Sequence, residues 1–139
     1  MIYKNLGGVL PAPGDAAADR ELLAAVEQAT AKEMPEAFDR FAFSVGIEAW
    51  LKAVFACNAY VDTQAPWALR KTDPERMAAV LGTLVVAVRE LTRVIAPIIP
   101  ASADKLLSLI DAGEGGAPIP QPTPLFPRLE LPEDAEAAA

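Results

Sequence analysis

Trp67 follows a helix-breaking proline, and two cations, Arg70 and Lys71, come three and four residues later. Those residue types at that spacing can do one kind of chemistry well. An indole offers a face on which an unpaired base can stack, worth about 1–3 kcal/mol per base, and cations one helical turn on can meet the flanking phosphates. Alanine before proline avoids the helical region, so Asp62 to Pro66 is expected to break a helix and leave Trp67 in a loop. The spacing alone leaves a second arrangement open, in which the ring folds back as a lid over the core, as large aromatics commonly do.

Other chemistry is hard to find. The chain of 139 residues has no histidine and one cysteine, Cys57. Ser-His-Asp and Cys-His nucleophilic machinery cannot be assembled from it, nor can histidine acid–base catalysis or a common zinc site. Cys57 lies on the apolar side of its helix and reads as a small core residue rather than a nucleophile, which wants an accessible, electropositive setting. Glu33, Glu36 and Asp39 gather near a helix end and read as a solvated face. The glycines at Gly7-Gly8 and Gly113 to Gly116 lack the strand and the spacing of a phosphate-binding loop. No catalytic residue, metal ligand or cofactor site is assigned.

The net charge of −7 argues at first against a nucleic-acid partner. Four of those charges sit at Glu130, Glu133, Asp134 and Glu136, within the last eleven residues, which hold no basic residue. The remainder is only weakly acidic and is compatible with a local basic and aromatic patch. The apolar run Leu84 to Val88 meets Arg89, Glu90 and Arg93, far short of the roughly 20 apolar residues of a membrane span. Met1 to Leu6 has no signal-peptide pattern, so a cytoplasmic protein with no membrane partner is expected.

The elements that position these residues read as helices. Apolar residues make up 53 %, dominated by alanine, which favours that state. Gly7-Gly8 should stop a short first helix, and Pro11-Ala12-Pro13-Gly14 form a stiff loop. Asp15 is expected to cap a helix carrying Leu22, Leu23, Val26 and Ala29 inward, with Pro35 ending or kinking it and a second piece, Glu36 to Arg40, turning Phe38 inward. Ser44 is expected to cap the next helix, with Ile47, Trp50, Leu51, Val54, Phe55, Asn58 and Val61 on one face. Asp73-Pro74-Glu75 is a strong start signal for a helix whose stripe is Met77, Val80, Leu81, Leu84, Val88, Leu91 and Ile95. Pro97 and Pro100 end it, and Ser102 opens a last helix through Leu106, Leu107 and Ile110. The fold class is all-α: an antiparallel bundle of four to five helices over residues 1–111, followed by an extended, Pro-rich and acidic tail over 112–139.

Tyr60-Val61-Asp62-x-x-Ala65-Pro66-Trp67 resembles the N-x-Y-[IV]-D-x-x-x-P-W signature of the anticodon-binding domain of methionyl-tRNA synthetases. Met1-Ile2-Tyr3-Lys4-Asn5-Leu6-Gly7-Gly8-Val9-Leu10-Pro11 is similar to the end of that domain's first long helix. Leu84 to Arg89, with Ala96-Pro97-Ile98-Ile99-Pro100, resembles its L-x-x-x-x-R…S-P-x-x-P stretch, and Pro124-Leu125-Phe126-Pro127-Arg128-Leu129-Glu130 its P-L-F-P-R-[IL]-E ending. The likeness covers nearly the whole chain in order. Ala59 departs from it, standing where many members have arginine.

The resemblance implies that Trp67 stacks against the anticodon loop of methionine tRNA and helps select CAU. It also implies that 124–130 packs back on the bundle, with Phe126 as its anchor. The family's N-L-x-x-R determinant on the first long helix is absent, as are the HIGH and KMSKS elements of the catalytic domain, so the chain is expected to be a fragment beginning inside that helix. Lys4 and Asn5, near the missing motif, are further RNA-contact candidates, while Arg70 and Lys71 are phosphate contacts by their chemistry alone. The expected partners are the anticodon loop of methionine tRNA and the parent enzyme's catalytic domain, which would use ATP and Mg. Two rivals remain: the same fold in a synthetase for cysteine, valine, leucine or isoleucine, and a protein-interaction module docking through the bundle surface or the tail from Ala117 to Pro127.

Overall fold

Gly7 and Gly8 adopt φ of 60° and 80°, a conformation glycine reaches without strain, and so end the first helix, α1 (Ile2–Asn5). Helix α2 (Ala17–Glu27) continues through a π-helical stretch, Gln28–Glu33, into α3 (Met34–Asp39). Then come α4 (Phe43–Gln64), α5 (Pro66–Thr72), α6 (Pro74–Ile95) and α7 (Pro100–Asp111). A single 3-10 turn, Glu114–Gly116, precedes an irregular segment from 117 to 130. This computed structural model describes residues 1–130, and no strand occurs among them. The acidic positions Glu133, Asp134 and Glu136 lie outside the described residues.

Helix α6 is the centre of the bundle, packing against α2, α4, α5 and α7. Its stripe forms largely as the periodicity predicts: Met77, Val80, Leu81, Leu91 and Ile95 are buried, and Leu84 and Val88 half-buried. Leu22, Val26 and Ala29 meet it from the α2 side, and Ala53, Cys57 and Tyr60 from α4. Gly82 is required by a close approach: a Cβ there would lie 2.1 Å from the carbonyl oxygen of Ala12, where the Pro-rich loop crosses α6. Gly14, at the end of that loop, donates its N–H to Thr83 Oγ1 at 3.0 Å.

Several expectations are corrected. Asp15 does not cap α2; it is exposed and pairs with Arg20, while Asp19 accepts the N–H of Ala16 at 3.0 Å. Pro35 does not end the helical run: the π stretch just before it continues directly into α3, with Pro35 in the first turn of that helix. Ser44 lies inside the first turn of α4 and caps nothing. The turn is set instead at Phe41, whose φ of 60° lets Ala42 donate to the carbonyl of Ala37 at 2.8 Å. On α4, Leu51, Phe55 and Asn58 are exposed; the buried face runs through Gly46, Ala53, Cys57 and Tyr60, of which the first three are small and allow α2 and α3 to approach closely. Trp50, half-buried, donates its indole N–H to the carbonyl of Leu91 at 2.8 Å.

Helix α7 begins at Pro100, ahead of Ser102, and its end is tied to α6 by Arg89, which pairs with Glu114 at 3.3 Å and Asp111 at 3.7 Å. Phe126 is no anchor: it is 71 % exposed. The segment is held nearer its start, by buried Ile119, whose N–H is donated to the carbonyl of Gly8 at 2.9 Å.

Candidate nucleic-acid interface

A buried polar cluster adjoins the helix junction that carries Trp67. Asp19, on α2, has no exposed surface. Its carboxylate accepts two hydrogen bonds from the Arg76 guanidinium, at 2.6 and 2.7 Å, and one from the Tyr60 hydroxyl at 2.5 Å. Arg76 reaches further, donating from Nη2 to Gln64 Oε1 at 2.7 Å. The cluster thus joins α2, the end of α4 and the start of α6. A buried carboxylate must be paired to stay ionised, and the hydrogen bonds from Arg76 pull the Asp19 pKa down to about 2 against the desolvation that opposes it. Burial, followed by the bond to Asp19, pushes the Tyr60 hydroxyl up to about 12.

Immediately after Gln64, Ala65 takes the left-handed conformation, φ 44° and ψ 61°, and closes α4 by donating its N–H to Val61 at 2.9 Å. Pro66 then occupies the first position of α5, where its fixed φ suits a new helix and its missing N–H costs nothing. Trp67 therefore stands in the first turn of a short helix, not in the loop expected from the Ala-Pro pair. The residue is 55 % exposed. The core-lid arrangement does not form.

Arg70 and Lys71 occupy the last turn of α5, both exposed. Arg70 Nη1 donates to Asn5 Oδ1 at 3.4 Å, which brings the end of α1 beside α5. Asn5 also donates to the carbonyl of Met1 at 3.0 Å. Lys4 is exposed in the last turn of α1, one residue from that contact. Sequence reasoning passed over Asp19, Gln64 and Arg76. A signal for Asp19 was present: it stands three residues before Leu22 and seven before Val26, so the carboxylate falls on the inward face of α2 and demands a partner.

The other candidates recede. Glu33, Glu36 and Asp39 are exposed. Cys57 is buried in the core, and desolvation pushes its thiol pKa up, away from nucleophilic use. Among the described residues no group of three or more Cys, Asp or Glu side chains is close enough together to hold a metal ion.

What fold and surface define together is an all-α bundle that presents an indole and two cations on a short helix at a helix junction. Residues 10–124 match the family model of the anticodon binding domain of methionyl tRNA ligase. Among curated proteins, the methionine–tRNA ligase of Brucella melitensis is 36 % identical over 143 residues, covering 92 % of this chain and 28 % of that protein. That of Mesorhizobium japonicum is 44 % identical over 115 residues, covering 79 % and 21 %. The free form of Mycobacterium tuberculosis methionyl-tRNA synthetase superposes with a TM-score of 0.83 at 33 % identity, covering 95 % of this chain and 30 % of that one. The chain belongs to the family of methionyl-tRNA ligase anticodon-binding domains. It spans between about a fifth and three tenths of the length of these relatives.

Proposed function

We propose that this chain recognises the anticodon loop of methionine tRNA, with Trp67 as the platform on which an anticodon base stacks. Arg70 and Lys71 meet the flanking phosphates, and Asn5 and Lys4 extend the polar surface along the end of α1. The recognition positions tRNA for ATP-dependent, Mg-assisted aminoacylation by a catalytic domain outside these 139 residues, in the cytoplasm. On this reading the chain alone performs no chemistry, and methionine-dependent pyrophosphate exchange should be undetectable.

The observation that carries the reading is the exposed Trp67 side chain on the same seven-residue helix as two exposed cationic side chains, one of them hydrogen-bonded to Asn5. Fluorescence anisotropy with labelled anticodon stem-loops tests it. A stem-loop carrying CAU should bind more tightly than one with an altered anticodon, and binding should weaken as salt rises. Equal, salt-independent affinity for every stem-loop, or none, would overturn it.

A further inference from the structure

Arg76 touches the chain on both sides of α5. Its backbone N–H is donated to Asp73 Oδ1 at 3.0 Å, just after the helix, and its Nη2 to Gln64 Oε1 at 2.7 Å, just before Ala65. The guanidinium is itself fixed by the two bonds to Asp19. The left-handed conformation of Ala65, between Gln64 and Pro66, is one that non-glycine residues adopt only at a cost, so the junction persists only if its surroundings hold it. We propose that Arg76, acting through Gln64, is a positioning residue for nucleic-acid recognition: it clamps the two ends of α5 and so fixes the direction in which Trp67 is presented. Neither side chain need touch RNA. Pre-ordering the platform spares the bound state the entropy of arranging it.

Gln64→Ala is the direct test, because it removes one anchor of α5 and leaves the buried Asp19–Arg76 pair intact. The two indole N–H signals of the 139-residue chain, from Trp50 and Trp67, are followed by nitrogen-15 NMR and assigned with Trp67→Phe. In Gln64→Ala the Trp67 signal should move and lose order, the Trp50 signal should stay, and the thermal midpoint should change little. Affinity for the CAU stem-loop should fall roughly two- to tenfold, the equivalent of one hydrogen bond. Gln64→Glu, which keeps an oxygen acceptor for Arg76, should restore the wild-type pattern. Should Gln64→Ala fail to fold, Arg76→Lys keeps the charge on Asp19, cannot also reach Gln64, and should give the same result.

A Trp67 signal unchanged in Gln64→Ala would overturn the proposal, and so would both indole signals shifting together with a large loss of stability. The RNA arm rests on the anticodon-reading function, whereas the indole arm does not. If wild-type chain binds no stem-loop, that function fails and the NMR comparison still decides the clamp.

Discussion

Tyr60 donates its hydroxyl to Asp19 across 2.5 Å, joining two residues that are 41 apart in sequence and both buried. The tyrosine of the Tyr60-Val61-Asp62 signature thus faces the interior, while the tryptophan of the same signature faces solvent. One short stretch of sequence supplies both the anchor and the platform. The single left-handed residue between the end of α4 and the start of α5, Ala65, separates the two.

Stability should depend on pH through this pair. Asp19 titrates near 2 in the folded chain and at 3.8 without its partners, so the unfolded chain takes up the proton first. Its contribution of about 2 kcal/mol is complete above pH 4 and is lost as pH falls from 4 towards 2. Tyr60 acts at the other end. Its folded value of about 12 exceeds the ordinary 10, so its contribution is complete below pH 10 and is lost as pH rises towards 12. Thermal midpoints measured across this range should show both limbs. An Asp19→Asn chain should be less stable at neutral pH, with a shallower acid limb; an acid limb as steep as wild type would show that other carboxylates control it.

Gly82→Ala tests the close crossing of the Pro-rich loop over α6. Alanine normally favours a helix interior by up to about 1 kcal/mol over glycine. Here the added carbon would sit 2.1 Å from the Ala12 carbonyl oxygen and 2.8 Å from that of Pro11, contacts no side-chain rotation relieves. The clash should dominate, for a net loss of about 1–3 kcal/mol in denaturant unfolding. A neutral or stabilising result would mean that the loop does not rest on α6.

The opposite sign is expected at Phe41. This residue stands where helices usually end on glycine, with φ of 60° and its ring 80 % exposed. Its contact is an edge-on one to Phe43 at a centroid distance of 6.2 Å, near the outer limit for aromatic pairs. Phe41→Gly relieves the left-handed strain and should raise unfolding free energy by about 0.5–1 kcal/mol. A measured loss of that size would mean the exposed ring packs more than its surroundings indicate.

These elements differ in how plainly the sequence announces them. Asp73-Pro74 starts α6 as the capping signal predicts, with Asp73 accepting the N–H of Arg76, because a side-chain cap and a proline at the first position act locally. On α4, periodicity weighed by side-chain size points Trp50 and Val54 correctly towards the core but also turns Leu51, Phe55 and Asn58 inward, where the structure exposes them. Close packing of α2 and α3 selects Ala53, Cys57 and Gly46 for the interior and turns Leu51 and Phe55 outward. That choice depends on neighbours far away in sequence. The Ala-Pro pair predicts the break before Trp67 but not the helix after it: Ala65 alone absorbs the interruption, which frees Pro66 to start a helix at once. The candidate contacts Trp67, Arg70 and Lys71 could be named from local spacing. The tie between Arg70 and Asn5 could not, because it spans 65 residues.

Substitutions at the proposed RNA surface should separate stacking from charge. Trp67→Ala removes the platform and should weaken binding of the CAU stem-loop by about 1–3 kcal/mol, with little change in salt dependence, since no charge is lost. Arg70→Ala should cost less affinity and should lower the slope of log affinity against log salt by about one phosphate contact, or about 0.7 for single-stranded RNA. It also frees Asn5 from its contact, so Asn5→Ala in the Arg70→Ala background should add little to either measure. Neither single substitution should lower the thermal midpoint by much, because both side chains are exposed. Titrations at several salt concentrations, with melts run alongside, check all of these together. If Trp67→Ala and Arg70→Ala both leave affinity and slope at wild-type values while Lys71→Ala and Lys4→Ala do the same, the surface around α5 is not where RNA is held.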